Sequence, residues 1–147
     1  PLAIKAVLAN SEFNLYGTDY DTPDGTCIRD YIHVVDLVEA HVLALDKLQK
    51  DKGGFFYNVG TGKGHSNKEV LETVEKISGS KIDIEVGKRR GGDVQTLIAD
   101  PARIVKELGF KHRYSELEKI VETAWKWHKR NSKFIHSASS GQNSKLQ

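Results

Sequence analysis

Apolar and polar positions recur with two periods along this chain, and the change from one to the other marks its elements. Residues 2–8, Leu-Ala-Ile-Lys-Ala-Val-Leu, read as the end of a helix that Asn10-Ser11 breaks. Phe13–Tyr16 reads as a short strand ending at Gly17, and residues 17–26 as a polar, ordered loop. Cys27 to Val34, rich in β-branched and aromatic residues, predicts a further strand. A helix is expected from about Asp36 to Lys50, where Leu37, His41, Ala44 and Leu48 recur at helical spacing and Val38, Val42 and Leu45 widen the stripe. Asp36 suits the positive end of its dipole and Lys47 and Lys50 the negative end. Gly53-Gly54 is expected to terminate it.

Phe55–Val59 predicts a strand, and Ser66 to Glu69 a capping box opening a helix with Val70, Leu71, Val74 and Ile77 inside and Gly79 at its end. Ile82–Glu85 alternates like a strand with one wet face. Asp100-Pro101 starts a helix that Gly109 stops. Ser115 to Glu118 reads as a second capping box, ahead of a helix with Leu117, Ile120, Val121, Ala124 and His128 on one face. From about Asn131 the residues turn polar. Residues 1–130 are therefore expected to form one domain, helix-rich and mixed α/β, and 131–147 a disordered tail with too little apolar surface to pack.

Composition narrows the function. With 38% hydrophobic residues in 147, the chain can bury a core. A net charge of +2 implies no general polyanion-binding surface, so no nucleic-acid partner is expected. No apolar run approaches a membrane span. Cys27, alone, forbids an internal disulfide and suits a reducing compartment. The chain opens at Pro1 without a Met, as a piece of a longer protein would.

Arg29 stands inside the strand-like run, where an unpaired charge is costly to bury. Two partners fit it: a nearby acid such as Asp30, or a ligand phosphate gripped by the guanidinium fork. Lys88-Arg89-Arg90-Gly91-Gly92-Asp93 is a second cationic site, either a solvated charge run or an anion site whose glycines admit a phosphate. Asp93 could orient Arg90 or accept from a sugar hydroxyl. Gly60-Thr61-Gly62-Lys63-Gly64 lies between strand and helix, but its G-x-G-x-G spacing is not the dinucleotide fingerprint, and a tight structural turn is expected. His33 and His41 lack further ligands at metal spacing and read as core or helix-face histidines. No catalytic arrangement stands out by spacing.

Two stretches carry a family resemblance. Tyr16-Gly17-x-Asp19-Tyr20-x-Thr22-x-Asp24-Gly25-Thr26-x-x-Arg29-Asp30-Tyr31-Ile32-His33-Val34-x-Asp36-Leu37 is one, and Tyr57-Asn58-Val59-Gly60-Thr61-Gly62-x-Gly64 with Arg90-x-Gly92-Asp93 the other. Over residues 1–130 the chain resembles the UDP-glucose 4-epimerases of the extended short-chain dehydrogenase/reductase family, in their C-terminal, substrate-binding portion. That resemblance implies a cytoplasmic isomerase of galactose metabolism, homodimeric, with NAD held by an N-terminal Rossmann domain absent from this chain. It implies interconversion of UDP-glucose and UDP-galactose through a 4-keto sugar. Carried over, Arg29 and Arg90 would hold the diphosphate, Asp93 the ribose, and Asn14, Leu15 and Tyr16 the uracil. The Tyr-x-x-x-Lys pair that the resemblance assigns to proton transfer is missing, since no tyrosine here has Lys four residues later. No catalytic, cofactor-binding or metal residue is therefore assigned, and this chain alone is expected to be inactive.

Overall fold

The structure, a computed structural model, describes residues 1–140, with side chains to Ser132. Among these residues the elements run α1 (Leu2–Ala9), β1 (Phe13–Tyr16), β2 (Ile28–Asp30), α2 (Val34–Lys50), β3 (Gly64–Ser66), α3 (Asn67–Ser78), β4 (Ile84–Gly87), β5 (Thr96–Leu97), α4 (Ala102–Leu108) and α5 (Leu117–Ser140). The fold is helix-rich and mixed α/β, as the patterning predicts. β1 pairs in parallel with β4, Phe13 opposite Ile84 and Tyr16 opposite Gly87. β2 is the centre of a second sheet, antiparallel to β3 and parallel to β5.

Two apolar clusters hold these parts. Ala3 and Ile4 of α1, Leu15 of β1, Leu71 and Val74 of α3, Ile82 just ahead of β4, and Val121 of α5 form the first. Ala40 of α2, Ile104 of α4 and Phe110 form the second, with Ile32, Leu43, Tyr57 and Val59 packed against them. The Ser66–Glu69 capping box forms in both directions, and Gly79 closes α3 in the left-handed conformation.

Several expectations are corrected. The strand read as Cys27 to Val34 shrinks to Ile28–Asp30, because its pairing with β3 ends at Asp30–Gly64. His33 leaves the strand to cap α2, its Nδ1 accepting the Val35 N–H at 3.1 Å, so α2 begins at Val34 rather than Asp36. His33 Nε2 lies 2.8 Å from Thr123 Oγ1, which already donates to backbone carbonyls, so Nε2 is the donor in this contact. α2 ends at Asp51, not at Gly53-Gly54.

Most of the α2 stripe faces outward. Val38 is 55% exposed, and Val34, Val42, Leu45 and Leu48 are similarly open, while Asp36 and Ala40 are buried. Phe55–Val59 forms no strand, and Phe56 is 81% exposed. β4 starts two residues later than read, in register with β1, and the two-residue β5 is too short to show a period. Ser115 does not cap α5; its hydroxyl donates to Asp36 Oδ2 at 2.5 Å and accepts from the His33 N–H. α5 carries helix through Ser140, past the point where the polar tail was expected to begin, and residues 141–147 lie outside the described ones.

Candidate functional site

β1 and β4 end together, the Gly17 N–H donating to the Gly87 carbonyl at 2.9 Å. Beyond them the chains part into two loops, 18–27 and 88–95. The second loop returns at β5 beside β2, with Ile28 opposite Thr96 and Arg29 opposite Leu97. This path brings Arg90 and Asp93 to Arg29, some sixty residues away in sequence. Asp93 Oδ1 lies 3.9 Å from Arg29 Nη2, and Asp93 Oδ2 lies 3.4 Å from Arg90 Nε. One carboxylate thus bridges two guanidiniums, leaving a local excess of one positive charge. Arg90 also stacks on Tyr16, 4.5 Å from the ring centroid. Arg29 Nη1 donates to the Ile28 carbonyl at 2.8 Å.

A cleft of about 690 Å³ opens here, and Asn14, Leu15, Tyr16, Arg29, Arg90 and Asp93 all line it. The fold therefore gathers all six residues singled out from the sequence. Its wall also carries residues that were not singled out, among them Lys5 of α1, Tyr31 and Asn67. Tyr31 donates its hydroxyl hydrogen to Asn67 Oδ1 at 3.2 Å, and burial pushes its phenol above the ordinary value. Tyr31 stands two positions from Arg29, a same-face signal in an extended run. Lys5 and Asn67 arrive from other elements and carry no such signal.

Arg29 does not pair with Asp30. Neighbours in a strand point to opposite faces, and Asp30 is turned toward the Gly60–Gly64 turn. It accepts from the Thr61 N–H at 2.9 Å, the Thr61 hydroxyl at 2.7 Å, and the N–H groups of Gly62 and Ala99 at 3.0 and 3.3 Å. Burial pushes this carboxyl up, but the donors outweigh it and hold it below its usual value. Gly60 is required by the close approach: a Cβ there would sit 2.5 Å from Asp30 Oδ2 and 2.6 Å from Ala99 Cβ. The turn is structural. Amides that a dinucleotide fingerprint would aim at a pyrophosphate are spent on Asp30, so this segment does not fit NAD.

Among the described residues no group of three His, Cys, Asp or Glu side chains is placed to hold a metal ion. No described helix is long and apolar enough to cross a membrane.

Comparison with known proteins gives this geometry its family. The family model described as GDP-mannose 4,6 dehydratase matches residues 4–124. The UDP-glucose 4-epimerase of Rhizobium meliloti is 46% identical over 133 residues, 90% of this chain and 40% of that protein. UDP-arabinose 4-epimerase 1 of Arabidopsis thaliana is 51% identical over 113 residues, 77% of this chain and 27% of that one. The crystal structure of the Bifidobacterium longum UDP-glucose 4-epimerase in complex with NAD+ and UDP superposes with a TM-score of 0.81 at 42% identity, covering 89% of this chain and 38% of that chain. The chain thus spans about two fifths of the length of the UDP-glucose 4-epimerases named above and about a quarter of the UDP-arabinose 4-epimerase, in their C-terminal portion. It belongs to the family of the GDP-mannose 4,6 dehydratase model, the extended short-chain dehydrogenase/reductases, and its likeness within that family is to the UDP-glucose 4-epimerases.

Proposed function

We propose that this chain is the UDP-sugar-recognition part of a nucleotide-sugar 4-epimerase, and that the remainder of the enzyme supplies NAD binding and proton transfer. The observation that carries this reading is the pair of arginines bridged by Asp93 at the cleft. Two guanidiniums suit a diphosphate, which each can meet with two parallel hydrogen bonds. Asp93 then exchanges arginine contacts for a ribose hydroxyl, and Asn14, Leu15 and Tyr16 bracket the uracil. Relatives whose names include NAD support the cofactor for the whole enzyme. NAD supplies reversible oxidation at the sugar's C4 when bound; this chain's own part is to bind and orient the nucleotide.

The outward apolar face of α2 and the unpaired Phe55–Val59 segment support a two-part enzyme. Stripes of this kind are ordinarily covered in a finished protein. They are where a Rossmann domain would dock, and the homodimer expected of the whole enzyme would form through that absent part. Interconversion of UDP-glucose and UDP-galactose is the reaction proposed. UDP-arabinose relatives at 50–51% identity favour a second reading, in which the same nucleotide site serves a pentose. Sugar choice then lies in the absent part of the site.

Calorimetric titration of the chain with UDP tests the reading. Arg29→Ala and Arg90→Ala are each expected to weaken binding by about 1.5–3 kcal/mol, the scale of a charge-assisted hydrogen bond. Equal affinity in both variants and the parent overturns the diphosphate assignment. A folded parent that gives no heat with UDP overturns the claim of a preformed half-site.

A further inference from the structure

Arg89, next to Arg90, does not line the cleft. Its guanidinium lies 4.1 Å from the centroid of the Tyr20 ring. Its Nε donates to Asp19 Oδ1 at 2.7 Å, and its Nη2 donates to the Asp19 carbonyl. Adjacent arginines therefore split between two rings, Arg90 over Tyr16 and Arg89 over Tyr20. Gly17 makes room for the second stack. A Cβ there would sit 2.9 Å from Arg89 Cγ and overlap the Tyr20 ring, and its φ is +77°.

The loop needs such an anchor. β4 stops pairing at Gly87, and β5 begins only at Thr96. Between them the Asp93 N–H donates to the Arg90 carbonyl at 3.3 Å, which shapes the loop but does not attach it to anything else. Among the described residues, the bonds tying the start of this loop to the 18–27 loop are those of Arg89. We propose that Asp19 and Arg89 form a clasp that positions Arg90 and Asp93 against Arg29. They are thus positioning residues for the diphosphate site. This inference rests on the UDP-recognition reading above. An exposed ion pair alone contributes little. Here two donors of one rigid fork and a stacked ring fix direction as well as distance.

The competing role is direct: Arg89 as a third cation on the ligand. The two roles differ in sign. If Arg89 touched the phosphates, Asp19→Asn would remove a competing acid and tighten UDP binding. A clasp makes Arg89→Gln, which loses the fork and the stacked guanidinium, weaken it by roughly three- to tenfold, and Asp19→Asn, which removes the charge but keeps the main-chain acceptor, weaken it less. The losses should not add in the double variant, because both act on the one Asp19–Arg89 contact. Uridine, which lacks the diphosphate, should bind all variants equally.

The experiment is an NMR titration of the chain with UDP and with uridine, following the Arg90 Nε–H signal. Arg90 Cζ lies 4.5 Å from the Tyr16 centroid, so that proton is expected upfield in the parent. Arg89→Gln is expected to move it toward the position of an exposed arginine and to weaken UDP but not uridine. An unmoved Arg90 signal in Arg89→Gln, or UDP binding tightened by Asp19→Asn, overturns the clasp. Arg90→Ala is the control for the underlying reading. If it leaves UDP affinity unchanged, the diphosphate site fails, while the Arg90 signal in Arg89→Gln still decides whether the clasp exists.

Discussion

Asp36→Ala is expected to cost about 3–5 kcal/mol of folding stability, well beyond the loss of a surface ion pair, since it strips a buried carboxylate from its donors. Asp36 is fully buried. It accepts from the Tyr114 N–H at 3.0 Å, the Arg113 N–H at 3.2 Å and the Ser115 hydroxyl at 2.5 Å. Alanine leaves those three donors unpaired and opens a void beneath α2. Ser115 also accepts from the His33 N–H at 3.0 Å, so the loss reaches the cap of α2. Chemical denaturation checks it: a variant within 1 kcal/mol of the parent (about the scale of one ordinary hydrogen bond) contradicts the role assigned to Asp36.

The same group sets a pH dependence. Burial pushes the Asp36 carboxyl up, but its hydrogen bonds with Ser115, Tyr114 and Arg113 outweigh this and hold it below its ordinary value of 3.8. A depressed folded-state value means that the unfolded chain binds the proton first. The contribution is therefore complete above about pH 4 and lost as pH falls through the lower, folded-state value. Asp24 and Asp30 shift in the same direction, so the three act together. Stability of the parent should fall steeply on acidification below pH 4, and Asp36→Asn should flatten that slope. Parallel pH profiles for parent and variant would exclude Asp36 as a contributor.

Gly25→Ala is expected to cost about 2–4 kcal/mol, combining left-handed backbone strain with steric overlap. Gly25 has φ +79°. A Cβ would lie 2.9 Å from the Thr18 carbonyl carbon and overlap its oxygen, and neither is a flexible side-chain end that can move aside. The Gly25 carbonyl accepts the Tyr20 N–H at 2.9 Å, so a shift here disturbs the ring on which Arg89 stacks. The variant should thus lose both stability and the Arg90 shielding. A stable Gly25→Ala chain with an unchanged Arg90 signal would separate this turn from the site.

The aspartates show where sequence reading stops. Asp24, Asp30 and Asp36 are each legible as polar residues near a turn, a strand and a helix start. Asp24 accepts from the Thr26 N–H and hydroxyl and from Ser66, Asp30 from Thr61, Gly62 and Ala99, and Asp36 from Arg113 to Ser115. Apart from Thr26, these donors lie roughly thirty to eighty residues away, and nothing in local spacing announces them. The Gly60–Gly64 turn is the complementary case. Its spacing alone argued against a dinucleotide site, and its amides do point inward to Asp30.

Helix positions and the Ser66 and Gly79 caps were determined by the sequence itself, because local hydrogen bonding and 3.6-residue periodicity act within a few neighbours. Residue chemistry likewise marked Arg29, because an arginine in a strand calls for a counter-ion, while it left the glycine-rich cationic loop open between a solvated run and an anion site, and the family resemblance gave Arg90 and Asp93 their roles. Tertiary structure alone decided the rest. It set which strands pair, that Arg29 meets Asp93 rather than Asp30, and that the apolar stripe of α2 faces outward. Periodicity reports that a helix has an apolar face. What covers that face depends on long-range packing.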